Sequence, residues 1–139
     1  MFILKAQADF DAAHFLKGYD GKCANIHGHR WQVILEVESE SLETEGPCQG
    51  MVVDFGIMKK DLKKVVDTYD HTLIYQEGTL ASITIEALAA EGFDLREVDF
   101  RPTAEAFAHH FYQVLSKNDY RIKRVTVYET PTNCAVYEV

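Results

Sequence analysis

No run of apolar residues in this chain approaches the ~20 needed to cross a bilayer. The opening Met1-Phe2-Ile3-Leu4-Lys5 offers too few apolar residues before its first charge to be the core of a signal peptide. Cysteines are scarce: three, an odd number without framework spacing, which excludes a disulfide scaffold and points to a reducing, cytoplasmic setting. Each is otherwise read as a small apolar residue. A basic excess is missing as well. The 22 Asp and Glu against 14 Lys and Arg give a net charge of −8, a poor match for nucleic-acid phosphates or an anionic membrane. There is no internal repeat, low-complexity tract or linker, so one domain over residues 1–139 is expected. With 47% hydrophobic and 26% charged residues, such a chain can bury roughly two-thirds of its unfolded surface without staples.

What is present is pattern. Phe2, Leu4, Ala6, Ala8, Phe10 and Ala12 alternate with polar positions, the signature of a half-buried strand over the first fourteen residues. A Gly-containing loop follows from Lys17 to Ala24. A second strand is predicted from His27 to Glu38, with Trp31, Val33, Leu35 and Val37 on one face. Ser39–Gly50 reads as a polar loop and Met51–Asp54 as a short returning strand. Asp54 is placed to cap a helix over Phe55–Tyr69, whose apolar stripe is Phe55, Met58, Leu62, Val65, Val66 and Tyr69. Lys59, Lys60, Lys63 and Lys64 then form its solvated face. A shorter helix is predicted over residues 79–91, ending before Gly92, and a third from Thr103, with Phe107, Phe111 and Leu115 inward. Arg121–Val139 reads as two strands. This order implies an α+β fold with helices on one face of an antiparallel sheet.

Six histidines are distributed unevenly. His27 and His29 flank Gly28 in a strand, where residues two apart point the same way. His14 has the parity of the first strand's apolar face. If the two strands pair at these ends, three imidazoles converge with an open fourth position, which describes a catalytic zinc site. A His-x-His pair by itself reads equally well as two singly bonded histidines. Cys23 stands four residues before His27 and reads as a fourth ligand, an inert loop thiol or an activated thiolate; spacing does not choose. Asp70 precedes His71, a carboxylate placed to orient a proton carrier, or a helix-end histidine favoured by the dipole. Glu129 shares a strand face with Val125 and Val127; two parallel N–H donors of a heterocycle would satisfy both its oxygens, and the alternative is a water-facing charge. His109 and His110 are expected at the surface.

Taken in order, Phe10-Asp11-Ala12-Ala13-His14, Cys23-x-x-x-His27-Gly28-His29, Val53-Asp54-Phe55, Asp70-His71, Pro102-Thr103-Ala104-Glu105 and Tyr128-Glu129-Thr130 resemble the 6-pyruvoyltetrahydropterin synthase family across nearly the whole chain. Three residues between the cysteine and the first histidine, and Ala24 after Cys23, are similar to the branch that makes 6-carboxytetrahydropterin for queuosine. The resemblance implies the tunnelling (T-) fold, two main helices on one sheet face, and a homo-hexamer of two stacked trimeric rings. It implies Zn2+ on His14, His27 and His29, Cys23 as catalytic thiol with Asp70 and His71 as relay, and Glu129 as both catalytic and substrate-binding anchor, with Thr103 and Glu105 beside the substrate. The implied reaction is a zinc-dependent lyase converting 7,8-dihydroneopterin triphosphate to 6-carboxy-5,6,7,8-tetrahydropterin, releasing triphosphate and acetaldehyde. Lys17, Lys22 and Arg30 are candidates for the triphosphate. The stretch between His71 and Thr103 is longer than in compact members of the family. Three rivals stand beside this: triphosphate elimination to pyruvoyltetrahydropterin, a three-histidine zinc hydrolase without need of Cys23, and a non-enzymatic zinc-stabilised pterin-binding ring protein.

Overall fold

The computed structural model describes residues 1–139. Two long strands, β1 (Phe2–His14) and β2 (His27–Ser39), follow the alternating pattern of the sequence. They pair antiparallel along their whole length, from Phe2 opposite Ser39 to His14 opposite His27. This register sets Ala6, Phe10, Ala12 and His14 opposite Leu35, Trp31, His29 and His27, so one face of the pair is apolar and ends in imidazoles. Strand β5 (Ile122–Thr130) adds to β2 and β6 (Asn133–Glu138) to β5, both antiparallel.

The helices α1 (Phe55–Asp67) and α3 (Ala104–Leu115) cover that face. Met58, Leu62 and Val66 from α1 and Phe107, Phe111 and Leu115 from α3 join Phe10, Trp31, Leu35, Val125 and Val127 in one core. Asp54 caps α1 by accepting from the Gly56 N–H at 2.6 Å, and Thr103 caps α3 by accepting from the Ala106 N–H at 3.2 Å. The helix α2 (Ser82–Ala90) lies inside the expected 79–91 and gives way to Gly92 at φ +86°, the left-handed geometry that ends a helix at little cost for glycine. None of its residues is buried.

The structure departs from the sequence reading in four places. Two strands are additional: β3 (Thr72–Gln76) and β4 (Leu95–Val98), so the sheet runs β4-β3-β1-β2-β5-β6. Both pair parallel, β3 with β1 at Ala12 and Ala13 and β4 with β3, which makes the sheet mixed at this edge and antiparallel elsewhere. β3 is five residues long and buried at Thr72, Ile74 and Tyr75, on both faces, so it shows no alternation. Met51–Asp54 forms no strand. The loop closes on itself through the Glu43 N–H to Met51 carbonyl bond and the Gly50 N–H to Glu43 carbonyl bond, each 2.9 Å, while Val52 and Val53 drop onto the core. Phe55 leaves the apolar stripe, 52% exposed at the first turn of α1. His110 is half-buried rather than at the surface, because α3 turns it toward Tyr69 and Phe100; His109 is exposed as expected.

Candidate functional site

The pairing of His14 with His27 and of Ala12 with His29 delivers three imidazoles to one place. One ring nitrogen from each of His14, His27 and His29 lies within 4.8 Å of the others. Two of the rings are already oriented from behind. His14 Nδ1 is 2.7 Å from the Pro102 carbonyl, and His27 Nδ1 is 2.7 Å from the Asn25 carbonyl. Each therefore turns its Nε2 into the cluster, and those two nitrogens stand 3.1 Å apart. A backbone carbonyl behind a ligating ring is the usual way a metal site sets tautomer and direction. His29 Nε2 is buried without a hydrogen-bond partner; Glu129 Oε1 lies 3.4 Å away but out of line. A buried nitrogen left without a partner is costly in a native protein unless something else satisfies it.

Electrostatics point the same way. Burial, reinforced by the neighbouring imidazoles, pulls His14 down to about 4. Burial also lowers His29, against the opposing pull of the Glu129 carboxylate. Rings held neutral are the form that ligates a metal. The donor set therefore fits a divalent ion with an open position, as the sequence pattern implied.

Two cavities adjoin at Gly28, His29 and Arg30. The larger, about 630 Å³, runs from His29 and Glu129 along Gln32, Tyr128 and Thr130. It has the size of a small-molecule site. The smaller, about 390 Å³, is bordered by Asp11, Ala13 and His71. His71 takes φ +59°, the one non-glycine residue at positive φ. Its Nδ1 is 2.9 Å from Asp70 Oδ2, and its backbone N–H donates to the Asp11 carbonyl at 2.6 Å. The Asp11 N–H donates to Asp70 Oδ1 at 2.9 Å, and this bond, with His71, holds the Asp70 carboxyl below the usual range. An imidazole whose Nδ1 faces a carboxylate keeps Nε2 for proton exchange.

Other expected residues stand apart. Cys23 sits in a single 3₁₀ turn over Lys22–Ala24, tied to the end of β1 by its carbonyl, which accepts from the Leu16 N–H at 2.9 Å. It borders neither cavity, and the ring of His71 partners Asp70. Thr103 spends its hydroxyl on capping α3, one residue from the carbonyl that orients His14, and Glu105 is exposed in that helix's first turn. Of the candidate cations, Lys17 and Lys22 are exposed on the loop, whereas Arg30 fronts both cavities and is paired with Asp11 at 3.1 and 3.3 Å. Sequence reasoning missed the carbonyls of Asn25 and Pro102 and the main chain of Asp11. Backbone atoms carry no residue-type signal, so no spacing rule would have found them.

The chain and its fold have known relatives. The family model for 6-pyruvoyl tetrahydropterin synthase matches residues 3–139. The 6-carboxy-5,6,7,8-tetrahydropterin synthase of Haemophilus influenzae is 34% identical, with 99% of each chain covered. That of Synechocystis is also 34% identical, over 84% of this chain and 98% of its own. Among solved structures, 6-pyruvoyl tetrahydropterin synthase of Caenorhabditis elegans superposes with a TM-score of 0.70 at 26% identity, covering 99% of this chain and 95% of that one. An uncharacterized protein from Wolinella succinogenes shares the fold, with a TM-score of 0.79 at 18% identity and coverage of 99% and 97%. A match that spans the strands, both main helices and every histidine of the cluster leaves one assignment: the chain belongs to the 6-pyruvoyl tetrahydropterin synthase family.

Proposed function

We propose that this chain converts 7,8-dihydroneopterin triphosphate and one water to 6-carboxy-5,6,7,8-tetrahydropterin, releasing triphosphate and acetaldehyde, as a step of queuosine biosynthesis in the cytoplasm. The activity is that of the relatives named 6-carboxy-5,6,7,8-tetrahydropterin synthase, at 34% identity over nearly the full length of the first. The observation that carries the reading is the position of His29, which joins the three-imidazole cluster, lies 3.4 Å from Glu129 and borders both cavities.

His14, His27 and His29 hold the metal, for which zinc suits three neutral imidazoles. When bound, it supplies Lewis acidity to the oxygens of the substrate side chain. Glu129 accepts two N–H donors from the pterin edge and so fixes the ring in the larger cavity. Asp70 holds His71 so that its Nε2 exchanges a proton with the substrate. Cys23 removes the other proton, and a subunit assembly brings it and the relay to one substrate. A hexamer fits the open sheet. β1 meets β3 only at Ala12 and Ala13, so its outer edge from Phe2 to Phe10 carries no strand, and the outer edge of β6 is open as well. Unpaired edges favour closure between copies.

The test is incubation of zinc-loaded protein with 7,8-dihydroneopterin triphosphate and assay for acetaldehyde. Acetaldehyde with 6-carboxytetrahydropterin supports the reading. Pyruvoyltetrahydropterin alone moves the assignment to triphosphate elimination, and absence of turnover removes the lyase. Cys23→Ala separates a metal-hydroxide hydrolase, which keeps its activity, from the lyase.

A further inference from the structure

One partly buried polar contact has no part in the proposed reaction. His110, on the inner side of α3, places its Nε2 2.9 Å from the Tyr69 hydroxyl. Its ring packs on Phe100 at 5.0 Å between centroids. The Tyr69 ring is buried against Phe107, Phe111 and Phe10, at 5.4, 5.8 and 6.1 Å. The bond ties the end of α1 to α3 across two elements, which apolar packing of the two rings would not do directionally.

Tyr69 is the residue before Asp70, and the turn it anchors is held at every position. The Thr68 carbonyl accepts from Arg96 Nε at 2.8 Å. The Tyr69 carbonyl accepts from the Thr72 hydroxyl at 2.6 Å. Asp70 takes the Asp11 N–H, and His71 gives its own N–H to the Asp11 carbonyl. These bonds hold His71 at φ +59°, an uncommon conformation for a side chain outside glycine, though one that histidine tolerates better than most. Relaxation to negative φ would swing the imidazole away from the cavity it shares with His29.

We propose that His110 is a positioning residue, which through the Tyr69 hydroxyl docks the Tyr69–Thr72 turn on α3 and so keeps the Asp70–His71 pair aimed at the substrate. The inference rests on the reading of that pair as the proton relay. It explains why a histidine stands half-buried on the inner side of α3, and why Tyr69 carries a hydroxyl into an aromatic cluster. Tyr69 and His110 themselves border a cavity of about 370 Å³ between α1 and α3, together with Asp61, Lys64, Thr68 and Asn118. The turn therefore has room to move once the bond is lost.

Steady-state kinetics of the metal-loaded enzyme test this with Tyr69→Phe, His110→Phe, their combination and His110→Gln. Tyr69→Phe and His110→Phe are each expected to lower kcat about tenfold, the scale of a sub-ångström misplacement of a catalytic group. KM stays within about twofold, because ground-state binding is untouched. The double variant is no slower than either single one, since both remove one bond. His110→Gln, which keeps a hydrogen-bonding amide in reach, recovers most of the rate. Tyr69→Phe preserves the packing and keeps the test open should His110→Phe fold poorly. Wild-type kcat in both single variants, whatever their melting temperatures, overturns the proposal. His71→Asn separates the two levels. Full activity there removes the relay reading and this inference with it. Loss there beside wild-type rates in the Tyr69 and His110 variants removes this inference alone.

Discussion

In the proposed reaction Glu129 holds the pterin and the three imidazoles the metal, and substitution separates the two roles. Glu129→Gln is expected to weaken binding of a pterin analogue at least tenfold, because one of two charge-assisted contacts, worth roughly 1.5–3 kcal/mol each, becomes donor against donor. Calorimetric titration with parallel metal analysis reads this; unchanged affinity at full metal content would show that Glu129 faces only water. His27→Ala or His29→Ala leaves two imidazoles and should bring bound zinc well below one per chain by elemental analysis. Full occupancy in both would refute the ligand set. At this scale the sequence was most informative for side chains and silent on main chain. The parity of His14, His27 and His29 was legible because strand pairing repeats every two residues. The carbonyls of Pro102 and Asn25 that aim the rings were not, nor was the His110–Tyr69 bond, which depends on how α3 is rotated over the sheet.

The helices divide by how much they bury. Helix α3 carries Phe107, Phe111 and Leu115 into the core, and its cap residue Thr103 is one position from the carbonyl behind His14. Thr103→Ala removes the cap and should destabilise the fold by about 1 kcal/mol. A thermal melt reads this as a drop of roughly 2–8 °C. An unchanged melting temperature would mean that water replaces the hydroxyl at no cost. Helix α2 is the contrast: apolar in sequence, yet with no residue buried in the chain. Ile83, 75% exposed, is therefore expected to tolerate replacement by serine within about 0.5 kcal/mol. A larger loss in the isolated chain would show that α2 packs more tightly than its exposure indicates. Elements with a clear period, β1, β2, α1 and α3, were legible in the sequence. Strands β3 and β4 were not, because a short parallel strand covered on both faces shows no alternation.

For the molecule as a whole, protonation opposes the metal-free fold. His14, His29 and His110 are all lowered by burial, so the folded state binds fewer protons than the unfolded one below the ordinary histidine value of 6.5. Their contribution is complete above that value and is lost as pH falls; for His14 alone, lowered to about 4, it amounts to about 3 kcal/mol. Glu36 adds a loss at lower pH. Its carboxyl, bonded to Arg124 and then Lys5 across β1, β2 and β5, is lowered from 4.5, so its stabilisation disappears below that value. Denaturant titrations of the metal-free protein should give a free energy of unfolding that falls between pH 6.5 and 4 and goes on falling below as Glu36 protonates. A flat profile from pH 6.5 to 4 would mean that the imidazoles are hydrated in solution.

The sequence by itself determined the class of this protein: an α+β chain with a polar-apolar alternation ending in histidines, a helix cap at Asp54, and motifs in the order of the pterin-synthase family. These are local signals, carried by residue type at fixed spacing, and they survive without knowledge of neighbours. Tertiary structure alone decided that Arg30 and Asp11 stand beside the Asp70–His71 pair, that His71 is held at positive φ, and that His110 reaches Tyr69. The physical reason is that each is a contact between elements far apart in the chain, set by register and helix rotation. Neither quantity is encoded in the spacing of any one segment.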